Sequence, residues 1–247
     1  MKFISNIRYF SLSLLFITLL ISCVENTENY QIDKSDYNFF PLKNGLSLTY
    51  QVDSLIYDNN GTIKLSRNII LKRTVIDSFI DNSGIKNYII DENYTENGKE
   101  IKSQFVNVYR TEDIAVENER NLKFIKLIFP ITLGKTWEGN KLFDANNTIL
   151  NIAGEPIKVY ENWLYRYSKM LDKYEVNGKE YSDVIEIIQT DTDYKLEKRY
   201  SIEYYAKNIG LIYKKMMILN TQKIDETNTP WELKAEEGFI MEQKLIN

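Results

Sequence analysis

Residues 194–205 read YKLEKRYSIEYY. Tyr194, Leu196, Tyr200, Ile202 and Tyr204 fall on one parity, Lys195, Glu197, Arg199, Ser201 and Glu203 on the other, and only Lys198 interrupts the apolar set. Alternation at a period of two is the signature of a β-strand, whose successive side chains point to opposite faces. One packed face and one wetted face is what an antiparallel sheet permits. The expectation for this stretch is that the tyrosine parity is buried and the charged parity faces water.

Working outward, similar runs recur at 48–57, 69–76, 86–94, 102–110, 122–129, 163–174, 184–189, 211–219 and 238–246. Between them stand Asn59-Asn60-Gly61, Asn82-Ser83-Gly84, Asn97-Gly98 and Asn177-Gly178. Asn-Gly pairs between apolar runs favour hairpins, because both residues tolerate the positive φ of a type I′ turn. The fold class expected is all-β: one large curved antiparallel sheet built from hairpins, arranged as a sandwich or an incomplete barrel. Ile157, Tyr160, Leu164 and Met170 are also spaced for one short helix within 159–171.

A single β-rich domain is expected over 39–247. Phe40-Pro41-Leu42, Gly45 and Leu48 match Phe129-Pro130-Ile131, Gly134 and Trp137 at a constant offset, which divides the domain into two candidate related halves, 39–128 and 129–247.

Composition narrows the chemistry. The 247 residues contain no His and one Cys, and 31 Lys and Arg stand against 35 Asp and Glu. Without imidazole there is no Ser-His-Asp triad, no Cys-His dyad and no His-ligated zinc, and one Cys forms no internal disulfide framework. The mild negative charge gives nucleic acid no basic face to bind. The expectation is a chain that is not an enzyme and that needs no cofactor.

The N-terminus carries an address. Lys2 and Arg8 form a positive start, and an uncharged apolar run from Tyr9 to Ile21 ends at Ser22-Cys23. That is the layout of a secretory signal peptide, here 1–22, and the run is shorter than the roughly 20 residues a spanning helix needs. Leu20-Ile21-Ser22-Cys23 resembles the bacterial lipobox. The resemblance implies that Cys23 becomes the N-terminus and carries a diacylglycerol and an amide-linked acyl chain, an anchor that several buried chains make strong. Cleavage would remove Lys2 and Arg8 and move the formal charge from −4 to −6. Residues 23–38 then read as the lipidated Cys and a polar tether, with a flexible reach of roughly 20 Å.

The segments FFPLKNGLSLTYQVDS (39–54), LKFIKLIFPITLGKTWEGN (122–140), YYAKNIGLIYKK (204–215) and GFIMEQKLIN (238–247), behind that lipobox, resemble a family of uncharacterised lipoproteins of Bacteroidota. Members carry an aromatic residue where this chain has Leu48, and a small residue, Val and Gly where it has Asn208-Ile209-Gly210. The resemblance implies a β-rich lipoprotein and transfers no catalytic residue. It places the chain at the outer membrane. Glu25 and Glu28, separated by neutral residues, give a weak surface-export signal, so the periplasmic face is favoured.

Two carboxylate clusters stand out. Asp191-Thr192-Asp193 would point both carboxylates one way on an extended chain, as a divalent cation needs, but it follows the 184–189 run where a solvated turn is expected, and Asp91, Glu92, Asn93 and Glu96 are denser but lack calcium-loop spacing. Neither is assigned to a metal. Trp163, Tyr165 and Tyr167 alternate on one face, as a stacking platform for sugar rings, a wall of an apolar groove, or ordinary cross-strand packing. Two functional classes remain. The first is a non-catalytic binding or scaffold module for other envelope components, docking through a sheet face or edge. The second is a carrier holding an acyl chain or other apolar ligand in a curved-sheet concavity. Envelope proteins, glycan and lipid are the candidate partners.

Overall fold

The computed structural model describes residues 34–58 and 60–247, so the signal peptide 1–22, the lipobox residues Leu20, Ile21 and Ser22, Cys23 and the tether to residue 33 lie outside the described residues. The first six strands are β1 (Ser47–Asp58), β2 (Ile63–Ile80), β3 (Lys86–Glu96), β4 (Lys99–Arg110), β5 (Ile114–Glu119) and β6 (Leu122–Ile128). One short piece, β7 (Thr136–Trp137), and a small hairpin of β8 (Ile149–Ile152) and β9 (Glu155–Lys158) follow. The chain ends with β10 (Tyr165–Val176), β11 (Lys179–Asp193), β12 (Glu197–Ala206), β13 (Gly210–Asn220) and β14 (Glu237–Leu245).

Twelve of these form one antiparallel sheet in the order β6-β5-β4-β3-β2-β1-β14-β13-β12-β11-β10-β7, and β8-β9 stands apart. The order is two meanders, β1 to β6 and β10 to β14, joined where β1 pairs with β14 from Tyr50↔Leu245 to Tyr57↔Gly238. Asn97-Gly98 and Asn177-Gly178 make the expected two-residue turns, all four residues at φ between 51° and 75°. Arg120-Asn121 and Ala153-Gly154 adopt the same positive φ without an Asn-Gly pair to announce them.

The sheet is nearly closed into a barrel, which decides between the sandwich and the incomplete barrel. Its two edges meet across a seam without a continuous ladder. The Ile125 N–H donates to the Gly139 carbonyl at 2.8 Å, and Trp137 Nε1–H donates to the Ile125 carbonyl at 2.9 Å. The Tyr167 hydroxyl donates to the Ile128 carbonyl at 2.7 Å and accepts the Ile128 N–H at 3.0 Å. Edge groups that would otherwise invite another strand are thus paired within the chain.

Closure changes the reading of 194–205. The tyrosine parity is packed: Tyr204 stacks on Tyr174 with ring centres 4.2 Å apart, and Tyr213 meets Tyr204 edge-on at 5.6 Å. The charged parity is buried as well, with Ser201 and Glu203 at 0% exposure and Arg199 at 7%. The expectation of a wetted face fails because a sheet that curls onto itself turns one face inward. Tyr194 and Leu196 precede the strand and are exposed.

Two further expectations are corrected. No helix forms within 159–171; the chain is irregular up to β10, which begins at Tyr165 and not at Trp163, and the short α-helix is Trp231–Lys234. The tether does not run to residue 38, because Lys34–Phe39 is a 3-10 helix docked on the domain. Tyr37 packs edge-on against Phe129 at 4.9 Å, the Asp36 carboxylate accepts the Ile131 N–H at 2.8 Å, and Arg110 donates to the Tyr37 carbonyl at 2.9 Å.

The two Phe-Pro segments share the geometry of the glycine turn that follows, although Phe129-Pro130 is cis and Phe40-Pro41 is trans. Gly45 and Gly134 both sit in the left-handed region, at φ 83° and 81°. Each donates to the neighbouring strand, to Val75 at 2.8 Å and to Tyr167 at 2.9 Å, and each is followed by the same tight bond, Leu46 N–H to Lys43 and Lys135 N–H to Thr132.

Candidate functional site

Register carries one face around the sheet. Glu203 lies opposite Lys214, Lys214 opposite Gln243, and Gln243 opposite Val52. This is the inward face, and it does not fill the space it encloses.

A cavity of about 470 Å³ remains inside, within the range of small-molecule sites. Its apolar wall comes from Phe124 on β6, Trp163 just before β10, Tyr165 at the start of β10, Met216 on β13, and Phe239 and Met241 on β14. The β8-β9 hairpin lies over it and contributes Leu150 and Ile152. The aromatic side is a continuous chain of edge contacts, Phe124 to Tyr160 at 5.2 Å and Tyr160 to Trp163 at 5.4 Å, with Phe143 behind them at 5.1 Å from Phe124. A second lobe of about 220 Å³ shares Tyr94, Glu119, Arg120, Lys126, Lys214 and Met241 with the first and adds Arg73, Glu92 and Glu117.

The floor is charged. Lys126 Nζ donates to Glu203 Oε1 at 2.5 Å, and Lys214 Nζ lies 3.2 Å from the same oxygen. The Tyr205 hydroxyl donates to the other Glu203 oxygen at 2.8 Å. Arg73 reaches Glu92 at 2.8 Å and also bonds Glu117, while Tyr94 and Gln104 donate to Glu92 at 2.8 and 2.7 Å. Buried charges are tolerable only when paired in this way.

The pairing sets the ionisation. Burial alone would raise the Glu203 carboxyl, but the Lys126 and Lys214 ammoniums and the bonds from Lys126 and Tyr205 outweigh it and hold the group at about 2. Lys214 is pushed up from its ordinary value by Glu203 and Glu119 against the burial that opposes it. Glu117 goes the other way: burial lifts it to about 7 despite the Arg73 guanidinium, and the carboxylates of Glu119 and Glu92 add to the lift. Burial works against ionisation of Glu119 too, yet Lys214, Lys126 and Arg73 keep its carboxyl below the ordinary value.

Trp163, Tyr165 and Tyr167 are all buried, so none of them offers an open stacking platform. Trp163 and Tyr165 form part of the cavity wall, and Tyr167 holds the seam. Tyr165 is fixed by its hydroxyl, which donates to Asn140 Oδ1 at 2.9 Å, and by Gly139, where a side chain would overlap its ring. Gln189 accepts from Ser201 Oγ at 2.6 Å, and its amide nitrogen, like Trp163 Nε1, has no hydrogen-bond partner among the described residues.

The carboxylate clusters resolve into ion pairs and hydrogen bonds. Lys198 lies 3.4 Å from Asp191 and 3.1 Å from Asp193, and Trp231 Nε1–H donates to Asp193 at 2.8 Å. Glu92 turns inward to Arg73 while Glu96 takes both prongs of Arg67 at 3.0 Å. Among the described residues no group of three potential ligands could hold a metal ion. The residues missed in the sequence are the inward charges, above all Arg73, Glu117, Lys126 and Lys214. Their signal was a charge inside an otherwise apolar run, as Lys126 stands in LKFIKLIF (122–129).

No family model matches the chain, and no curated protein matches it. Solved structures align with it, among them two from Bacteroides fragilis and Parabacteroides distasonis. The former is described as an exported protein with a YmcC-like fold; it is 12% identical, with 84% of this chain and 96% of that chain covered and a TM-score of 0.46. The latter is described as a lipoprotein; it is 11% identical over the same shares, with a TM-score of 0.41.

Proposed function

We propose that this chain is a lipid-anchored envelope protein, held by Cys23 at the outer membrane, that carries an acyl chain or similar apolar ligand in the hollow of its sheet. The observation that carries this reading is the 470 Å³ cavity behind the β8-β9 hairpin, walled by Phe124, Trp163, Tyr165, Met216, Phe239 and Met241. Protein interiors are ordinarily packed like organic crystals, and an apolar lining without contact partners forfeits dispersion energy. A ligand of matching shape restores those contacts, and methionines adapt to variable chains. The test is native mass spectrometry of the mature chain with Cys23→Ser, purified without detergent. Co-purified species in the lipid mass range, or uptake of a fluorescent acyl probe at micromolar concentration, are expected; absence of both overturns the reading.

A second reading, the scaffold module, is favoured by a patch on the outer face of β2 to β4. Phe105 is 71% exposed and Phe79 is 45% exposed, and the two line one groove there. Exposed apolar clusters of this kind mark interaction sites. Because the sheet edges are covered, a partner would dock on the face. Phe105→Ser with Phe79→Ser should abolish capture of envelope proteins by the anchored chain; capture that is unchanged rejects the patch. For the side of the membrane, protease treatment of intact cells should spare the domain, and its loss without lysis would place it on the surface.

A further inference from the structure

The charges around the hollow are balanced. Arg73 is paired with Glu92 and Glu117, and Lys126 and Lys214 share Glu203. Glu119 and Arg120, adjacent at the β5-β6 turn, line the cavity, Glu119 half-buried and Arg120 exposed to solvent at its rim, and neither makes an ion pair within 4.0 Å among the described residues. Four cations thus face four carboxylates. Glu119 also accepts no hydrogen bond from the described residues, although it borders both lobes together with Lys214.

An anionic or cationic headgroup entering this floor would leave one buried charge in excess, and an uncompensated charge in a low-dielectric site is costly. A neutral headgroup bearing hydroxyls adds no charge. It can donate to the Glu119 carboxylate and accept from the Lys214 ammonium, and charge-assisted hydrogen bonds of both kinds are strong. Its chain would then lie along Phe124, Leu150, Met216, Phe239 and Met241.

Resting on the carrier reading above, we propose that the hollow selects an acyl lipid with a neutral, hydroxyl-bearing headgroup over an ionised lipid of the same chain length, and that Glu119 and Arg120 set this preference. Each is a specificity determinant through its charge: removing Glu119 takes a half-buried negative charge from the floor, and removing Arg120 takes a solvent-screened positive charge from its rim, the smaller change.

The test is displacement of N-phenyl-1-naphthylamine from the Cys23→Ser mature chain at pH 8 and low salt. The competitors are 1-monooleoylglycerol, oleate and oleylamine, each below its aggregation concentration. The glyceride should displace the dye at a concentration at least tenfold lower than either charged lipid. Glu119→Gln should shift the preference toward oleate by about tenfold, and Arg120→Gln toward oleylamine by about two- to threefold, so the second variant decides if the first does not fold. Equal displacement by oleate or oleylamine in the unmodified chain, or unchanged ratios in the folded variants, overturns the selectivity while leaving the carrier reading intact. Failure to bind the dye and all three lipids overturns both.

Discussion

Lys126 on β6 and Glu203 on β12 meet at 2.5 Å inside the sheet, joining the first meander to the second across the hollow. Both side chains are almost wholly withdrawn from solvent, at 4% and 0% exposure. Removing one partner of such a pair strands the other charge, which typically costs about 3 to 5 kcal/mol. Glu203→Gln strands two ammoniums, whereas Lys126→Met leaves Glu203 still paired with Lys214. Urea unfolding of the mature chain should therefore rank Glu203→Gln as the more destabilised variant, and the reverse order would show that Lys214 does not share the charge.

Stability should fall on the acid side through the same carboxylate. Glu203 is held at about 2 in the folded chain, against an ordinary value of 4.5. A depressed carboxyl contributes stability that is complete above the unfolded value and is lost as pH falls through the folded one. The loss therefore runs from about pH 4.5 down to about pH 2 and is on the order of 3 kcal/mol. Denaturant midpoints measured across this window should decline in the unmodified chain and stay nearly flat in Glu203→Gln.

Glu117 has the opposite sign. Its folded value of about 7 lies above the ordinary 4.5, so between those two values the folded chain binds more protons than the unfolded chain. Stability then decreases as pH rises from about 4.5 to about 7. Together the two carboxyls place the optimum near pH 4.5. Glu117→Gln should flatten the neutral limb alone, and a neutral limb that persists in that variant would remove Glu117 as its source.

Tyr167→Phe tests the seam. The lost hydroxyl leaves the Ile128 N–H and carbonyl without their partner, and buried backbone groups in that state cost about 1 to 3 kcal/mol. Amide exchange at Ile128 should accelerate strongly while the β1-β14 amides keep their protection. Uniform acceleration across the sheet would mean that the seam does not open separately.

Gly238 shows where the backbone itself is committed. It sits at φ 103° on β14, and a methyl group there would overlap the Ile218 carbonyl of β13. Gly238→Ala should cost about 3 kcal/mol or more, since both the left-handed conformation and the close approach exclude a side chain. Gly45→Ala, which meets nothing within 4 Å, carries only the conformational part and should cost about 1 kcal/mol. Thermal unfolding of the two variants should separate them clearly.

Local pattern was sufficient for the strands. The alternation in 194–205 and the Asn-Gly turns at 97–98 and 177–178 act through neighbours in the chain, and they yielded an all-β meander with its hairpins in place. The address expected at Leu20-Ile21-Ser22-Cys23 likewise rests on contiguous residues. What the sequence could not settle was which side of each strand is wet. That follows from closure of the seam by Tyr167, Trp137 and Gly139, contacts between segments far apart in the chain. Closure turned Arg199, Ser201 and Glu203 from a solvent face into an interior one and brought Lys126 and Lys214 to the same carboxylate. A period of two specifies that a strand has two faces; only the curvature of the whole sheet decides which of them encloses the hollow.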